Sequence, residues 1–187
     1  MIIDGVRYTT FETERLYIRP CIEDDAEFIY KLLNCESWLK YIGDRNVKSI
    51  EEAQLYIKVK MYPQLKRLGF GNYTVIRKSD NTKMGTCGLH DREGLEAIDI
   101  GFAFLPEFEG QGYAFESAEK IKRAGFDLFL LTEICAITLP RNHSSQKLLE
   151  KIGMRFDRYI TLPDDSEKLM FYRLKRTNKT IDSLRIE

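Results

Sequence analysis

"PEFEGQGYAFESAEKI", residues Pro106–Ile121, follows an apolar run from Ile100 to Leu105 and sets two glycines one residue apart ahead of a helix-like pattern. A plain connector needs no such pair. Glycines let successive backbone N–H groups turn toward one point and let a ligand approach with no Cβ in the way. A helix behind them adds unpaired N–H groups and a partial positive charge. Glu109-Gly110-Gln111-Gly112-Tyr113-Ala114 therefore reads as a receptor for a diphosphate that requires no basic side chain. A tight turn remains the alternative for two glycines taken alone. A Walker A loop would need Gly-Lys-Ser/Thr after this spacing, and a dinucleotide fingerprint would want a small residue at Phe115 and a place early in a βαβ unit.

Upstream of this stretch, Asn72–Arg77, Lys83–Leu89 and Ala97–Leu105 read as three strands separated by turn chemistry at Ser79-Asp80-Asn81 and Asp91-Arg92-Glu93-Gly94. Such short connections predict antiparallel neighbours. Glu14–Pro20 is expected to form an earlier strand, and Glu23-Asp24-Asp25 to open a helix with Phe28, Ile29, Leu32 and Leu33 on its apolar stripe. Ser49-Ile50-Glu51-Glu52 is a capping box for a second helix, punctuated by Pro63 and Gly69. After the glycines come a helix bearing Ala114, Ala118, Ile121 and Phe126, a strand at Glu133–Leu139, a short helix from Ser144 to Ile152 and strands at Arg155–Leu162 and Lys168–Lys175. The order β, αα, βββ, α, β, α, ββ is that of an α+β or mixed α/β domain.

The chain has 187 residues, 29 basic and 29 acidic, with 43% hydrophobic content. We expect one domain over residues 1–187, with its core between about 13 and 175 and a polar tail from Arg176 to Glu187. The charge balance argues against a nucleic-acid binder. No stretch has the roughly 20 apolar residues of a membrane span, and the first residues carry no secretory pattern. Cys21, Cys35, Cys87 and Cys135 are scattered, as expected of free thiols in the cytoplasm rather than of a metal site.

A second stretch, Leu139-Pro140-Arg141-Asn142-His143-Ser144-Ser145-Gln146-Lys147-Leu148-Leu149-Glu150-Lys151-Ile152-Gly153-Met154, follows the next strand. Together the two stretches resemble the GNAT N-acetyltransferase superfamily. Gly112 and Ala114 match its Arg/Gln-x-x-Gly-x-Gly/Ala pyrophosphate loop, and Asn142, Ser145, Leu149-Glu150-Lys151 and Gly153 match its pantetheine-side segment. Thr13-Glu14-Arg15-Leu16-Tyr17-Ile18-Arg19-Pro20, with Asp24-Asp25 after it, looks like the ribosomal-protein N-terminal acetyltransferase branch (RimJ/RimL-like). The resemblance covers about Thr13 to Leu174. It implies a GNAT-type fold: a mostly antiparallel twisted sheet of about seven strands, splayed at the cofactor site, with about four flanking helices. It also implies acetyl-CoA as donor, an amine acceptor, no metal, and homodimers as a common state.

The resemblance places cofactor contacts at Phe102, Phe104, Glu109, Gly110, Gln111, Gly112, Tyr113, Ala114, Asn142 and Ser145. Two positions depart from the pattern. Glu109 stands where Arg or Gln is usual and is expected to point outward. Leu149 replaces a Tyr that protonates the thiolate in many relatives. Asp99, between Ile98 and Ile100, is a candidate base, its alternative being a solvent-facing strand residue. Ser145 is a candidate acid or simply a first-turn helix residue. Trp38, Tyr41, Phe70, Tyr73, Asp164 and Asp165 fall where relatives shape the acceptor pocket, although Pro163-Asp164-Asp165 is also an ordinary turn. Glu116 fits dipole complementarity in the first helical turn, and His90 and His143 form no ligand set. The expected activity is direct acetyl transfer from acetyl-CoA to a primary amine, a protein N-terminus or a small molecule. A coenzyme A-binding sensor without turnover is the alternative.

Overall fold

The computed structural model describes residues 1–163 and 167–176. Of the sequence expectations, those on Asp164 and Asp165 and on the tail beyond Arg176 lie outside the described residues. The chain opens with a two-stranded hairpin, β1 (Ile2–Ile3) and β2 (Val6–Arg7), turned by Asp4 and Gly5. Eight strands then form one sheet in the order β3-β4-β5-β6-β7-β8-β10-β9. They are β3 (Phe11–Glu12), β4 (Leu16–Pro20), β5 (Asn72–Arg77), β6 (Thr82–His90), β7 (Ile98–Phe104), β8 (Glu133–Thr138), β9 (Arg155–Ile160) and β10 (Leu169–Lys175). The sheet has one strand more than the sequence predicts, because Phe11–Glu12 pairs with Ile18 and Tyr17.

The meander β5-β6-β7 is antiparallel throughout, as its turns predict. Helix α5 (Tyr113–Asp127) then carries the chain across one face, so that β8 lies parallel to β7. Strand β10 inserts between β8 and β9, antiparallel to both. Alternation along β7 divides the core. Ile98, Ile100, Phe102 and Phe104 pack with Ala118 and Ile121 of α5 and Leu149 of α6 (His143–Lys151). Ala103 turns the other way, and with Leu105 just beyond the strand it meets α1 (Ala26–Leu33), α3 (Ile50–Tyr56) and α4 (Tyr62–Leu68).

Five helical rods flank the sheet rather than four, since Glu36–Tyr41 forms α2 with no buried residue to mark it in the sequence. Ser49 caps α3 as expected, its Oγ accepting the Glu52 N–H at 3.1 Å. Pro63 does not end this rod. A π turn over Ile57–Met61, in which Tyr62 N–H donates to Ile57 C=O, joins α3 to α4 and admits the proline. The rod closes at Gly69, whose φ of +78° suits a residue without Cβ. The core also begins earlier than residue 13: Ile3, Tyr8 and Phe11 are buried, and Phe11 meets the Tyr73 ring edge-on at 5.4 Å. At the other end, Arg176 N–H donates to Thr132 C=O at 2.9 Å.

Asp25, expected only to complement a helix dipole, is instead a fully buried hub. Its carboxylate accepts both Arg19 guanidinium nitrogens at 2.7 Å, Thr74 Oγ1 at 2.8 Å and Ile22 N–H at 3.1 Å, and Lys83 Nζ lies 2.6 Å away. These contacts tie β4, β5 and β6 to the start of α1. Burial by itself would raise this carboxyl, but the hydrogen bonds from Arg19 and Lys83 outweigh it and hold the group at about 2. Asp25→Asn should cost roughly 3 kcal/mol, because it strands two cations against the sheet. Since the folded value is depressed, this stability is present above the ordinary carboxylate value. It is lost as pH falls from about 4 toward about 2. Urea melts of both proteins over that window check the sign: the difference between them should shrink with acid.

Tyr73 and Phe70, placed at the acceptor pocket by sequence, belong to the core instead. Phe70 stacks on Phe129 with centroids 4.7 Å apart, and Tyr73 is fully buried with no partner for its hydroxyl among the described residues. An unpaired buried hydroxyl costs about 1–3 kcal/mol. Tyr73→Phe should therefore leave acceptor KM unchanged and raise Tm by a few degrees, about 2–4 °C per kcal/mol recovered. A changed KM would return Tyr73 to the pocket.

Candidate active site

Strands β7 and β8 pair at only two positions, Ile98↔Ile134 and Asp99↔Cys135. Beyond them β7 stays paired with β6 as far as Phe104, while β8 stays paired with β10 as far as Thr138. The sheet is thus split from within, as the resemblance implies. Leu105 N–H donates to Met84 C=O on β6 at 2.9 Å, and the β6–β7 register runs unshifted to His90↔Asp99. Backbone groups of alternate residues point the same way along a strand. The N–H groups of Gly101 and Ala103 therefore serve β6, that of Ile100 closes the last bond of the β7–β8 pairing, and those of Phe102 and Phe104 face the gap.

The glycine loop closes one end of this gap. A 3-10 turn at Pro106–Phe108 leads into it, and Glu109 N–H is engaged in that turn, donating to Pro106 C=O at 3.2 Å. Gly110 and Gly112 both have positive φ, +72° and +84°, so the loop turns where only glycine is at ease. A Cβ on Gly112 would come within 3.3 Å of the Arg15 guanidinium. The first bond of α5 runs from Glu116 N–H to Gly112 C=O, so the N–H groups of Tyr113, Ala114 and Phe115 precede the helical ladder.

Arg15 braces this turn from outside. Its Nη1 donates to Gln111 C=O at 3.2 Å, its Nε to Glu116 at 2.7 Å, and its guanidinium lies 4.4 Å over the Tyr113 ring. Glu116 also accepts Thr13 Oγ1 at 2.6 Å and Arg15 N–H at 3.0 Å, so it is a strut between the first strands and α5. The Tyr113 side chain is buried, and that of Gln111 folds back to Glu107 C=O at 2.7 Å. Neither side chain lines the cleft, which leaves those two residues only backbone to offer. Glu109 is exposed at the rim.

On the far side of the gap, Asn142 caps α6 with Oδ1 accepting Ser145 N–H at 3.1 Å. Asn142, Ser145 and Leu149 line the same cleft as Phe102, Phe104, Gly110, Gly112 and Ala114, a volume of about 1220 Å³. Trp38 and Tyr41 of α2 line the cleft as well, Trp38 fixed by Nε1 donating to Gly43 C=O at 3.1 Å. Asp99 lines it too. It is buried rather than solvent-facing, and Arg92 holds its Oδ2 from Nε at 3.0 Å and Nη2 at 2.9 Å. His90, its cross-strand partner, also lines the cleft. Burial pushes the Cys87 and Cys135 thiols up to about 12, which removes the thiolate a covalent route would need.

Residues 15–155 match the acetyltransferase (GNAT) domain family, most of the chain. The protein is a GNAT acetyltransferase. Among curated proteins it is similar to the uncharacterised N-acetyltransferases YoaA and YnaD of Bacillus subtilis (strain 168). Both are 28% identical to it, over 79% and 76% of this chain and 84% and 81% of theirs. Among solved structures, a GNAT-family acetyltransferase from Bacillus anthracis shares 27% identity, with a TM-score of 0.74 over 89% of this chain and 98% of that one. A ribosomal alpha-N-protein acetyltransferase in complex with coenzyme A superposes with a TM-score of 0.75 over 87% and 95%, and at 17% identity it speaks for the fold alone.

The family uses acetyl-CoA, and the acetyltransferase has features that fit it: an open strand edge for amide groups and a glycine cradle in which a Cβ at Gly112 would crowd Arg15. Sequence reasoning missed His90, Arg92 and Gln64. The seven residues from Asp91 to Ala97 between β6 and β7 hide the register that sets His90 against Asp99, and the π turn rotates Gln64 out of any regular helical phase. Gly112→Ala should cost about 1–2 kcal/mol in loop conformation. Steady-state kinetics should show KM for acetyl-CoA raised about tenfold with kcat little changed, whereas an equal fall in kcat would mean that the loop acts on the chemical step.

Proposed function

We propose that this acetyltransferase moves an acetyl group from acetyl-CoA directly to a primary amine within a ternary complex. The single observation that supports this reading is one continuous cleft joining the glycine loop, the split between β7 and β8, and the aromatic end at Trp38 and Tyr41. In this reading the N–H groups of Gly110 to Phe115 take the pyrophosphate, with the N-terminal charge of α5 behind them. The edge N–H of Phe104 pairs with a pantetheine amide as a short added strand would. Phe102 N–H, the first donor beyond the split, is placed to stabilise oxyanion charge on the carbonyl. Ser145 Oγ supplies the proton for the departing thiolate, the role left open by Leu149.

The acceptor is a protein N-terminal α-amine or a small-molecule amine, and the likeness of the opening Thr13–Pro20 segment supports the RimJ/RimL-like branch. The four cysteines are free thiols, in keeping with a cytoplasmic enzyme. Thiol release from acetyl-CoA, measured against a set of N-terminal peptides and a set of small amines, tests the proposal. Turnover with peptides alone favours the protein-modifying branch; turnover with small amines alone removes it. Ser145→Ala should lower kcat by about tenfold or more with KM for acetyl-CoA nearly unchanged. Binding of coenzyme A without turnover of any acceptor would overturn the enzymatic reading in favour of a sensor.

A further inference from the structure

We infer that His90, rather than Asp99, is the base that takes the proton from the acceptor amine, and that Gln64 is the residue that positions it. This rests on the amine-transfer reading above. His90 ends β6 on the face opposite α5, the face that also carries Asp99 and Gly101. A Cβ on Gly101 would lie 3.2 Å from His90 Cδ2 and 3.3 Å from Nε2, so the imidazole rests over Gly101 itself. Gly101 is followed by Phe102, whose N–H opens into the gap just beyond the last β7–β8 pair. Nε2 is thereby carried to the part of the cleft where the carbonyl would be held, on the side from which Trp38 and Tyr41 admit an acceptor.

Asp99 sits beside this point with its charge already matched. Its Oδ2 accepts Arg92 Nε–H at 3.0 Å and lies 2.9 Å from Arg92 Nη2, so the oxygen is already occupied by the guanidinium. His90 has no such partner and is half-buried. Burial pushes its imidazole below the ordinary histidine value, and Arg92 adds to this, while Asp99 pulls the other way. It is therefore neutral, and able to accept a proton, at pH 7. Asp99 on β7 and Arg92 on the connection face it. Lys60 of the π turn, Asp91 and Glu93 line the same cleft, Asp91 being paired with Arg67 at 2.6 Å, and the Cys135 thiol on β8 donates to Ala97 C=O at 3.1 Å.

Gln64 on α4 grips the chain on both sides of His90. Its Oε1 accepts Asp91 N–H at 2.9 Å, and its Nε2 donates to Leu89 C=O at 2.7 Å and Phe70 C=O at 3.2 Å. One side chain thus fixes the peptides before and after the histidine. In the step itself, His90 removes one proton from the ammonium, and the freed nitrogen lone pair forms the C–N bond to the acetyl carbon. The C–S bond breaks with its electron pair leaving on sulfur. A second nitrogen proton ends on that sulfur, and His90 returns its own proton to water.

The test is the pH dependence of kcat/KM for the full-length protein with its best amine acceptor, in wild type, His90→Gln, Asp99→Asn and Gln64→Leu. Coenzyme A binding serves as the folding control. Wild type should show an acidic limb below the ordinary histidine value. His90→Gln should lose that limb and about 10²–10³-fold in rate. Asp99→Asn should lose less than tenfold and carry the limb to lower pH, because removing the carboxylate withdraws the charge that favours imidazolium. Gln64→Leu should lower kcat with KM for acetyl-CoA unchanged and the limb retained. An acidic limb that survives in His90→Gln and vanishes in Asp99→Asn overturns the assignment alone. A wild-type protein that binds coenzyme A and acetylates no amine overturns this assignment and the enzymatic reading together.

Discussion

The structure turns on one constraint: β7 and β8 cannot remain paired beyond Asp99, because each is committed to a different neighbour. β7 follows the meander through β6, and β8 follows the antiparallel block through β10. Where the two blocks diverge, backbone N–H and C=O groups are left without partners in the middle of a sheet. Such groups must be satisfied by water or by a ligand. The gap therefore offers the donors and acceptors that an extended molecule with amides of its own would need, which is the basis of the proposed cofactor site. The glycine loop lies at one end of the gap because α5 must start where β7 stops, and the aromatic end is defined by the helices that cover the opposite face.

Holding two diverging blocks in one domain requires anchors away from the gap. Asp25 is one, binding the first strands of the meander to the N-terminal helices through cations that would otherwise be poorly solvated. The Thr13–Arg15–Glu116 cluster is another, joining the turn between β3 and β4 to the start of α5. Both anchors use charges matched within the fold, in keeping with a chain of 29 basic and 29 acidic residues. The amides of the glycine loop keep their direction because Arg15 braces the turn that carries them.

Much of this was legible in the sequence where local chemistry decides structure. The turns at Ser79-Asp80-Asn81 and Asp91-Arg92-Glu93-Gly94 announced the meander, Gly110 and Gly112 the loop, and Asn142 the cap of α6. What escaped notice was set by tertiary context. Phe11–Glu12 is too short to show alternation, yet it pairs because β4 offers an edge. Pro63 reads as a helix stop, and the π turn before it lets the helix continue. Tyr73 looks like a pocket aromatic because nothing local says which face of β5 it occupies. Asp99 alternates with isoleucines as an exposed residue would, but the helices that cover its face belong to a distant part of the chain. His90 was the costliest omission, since its meaning depends on a register that seven intervening residues conceal.

The departure at Leu149 becomes intelligible when the proton demands of the two partners are compared. At pH 7 a thiol near 8.5 gives up its thiolate form for about 2 kcal/mol, so a departing coenzyme A sulfur is not a severe leaving group. A hydroxyl such as that of Ser145, or a water it orders, meets a demand of that size, and Leu149 can be given over to packing. The amine is the harder partner: freeing its lone pair takes roughly 1.4 kcal/mol for an α-amine near 8 and roughly 4.6 for an ε-amine near 10.4. A neutral imidazole next to the reacting carbon serves the first well and the second only in part. If His90 is the base, as inferred above, the arrangement of His90, Asp99 and Arg92 would favour acceptors of low basicity.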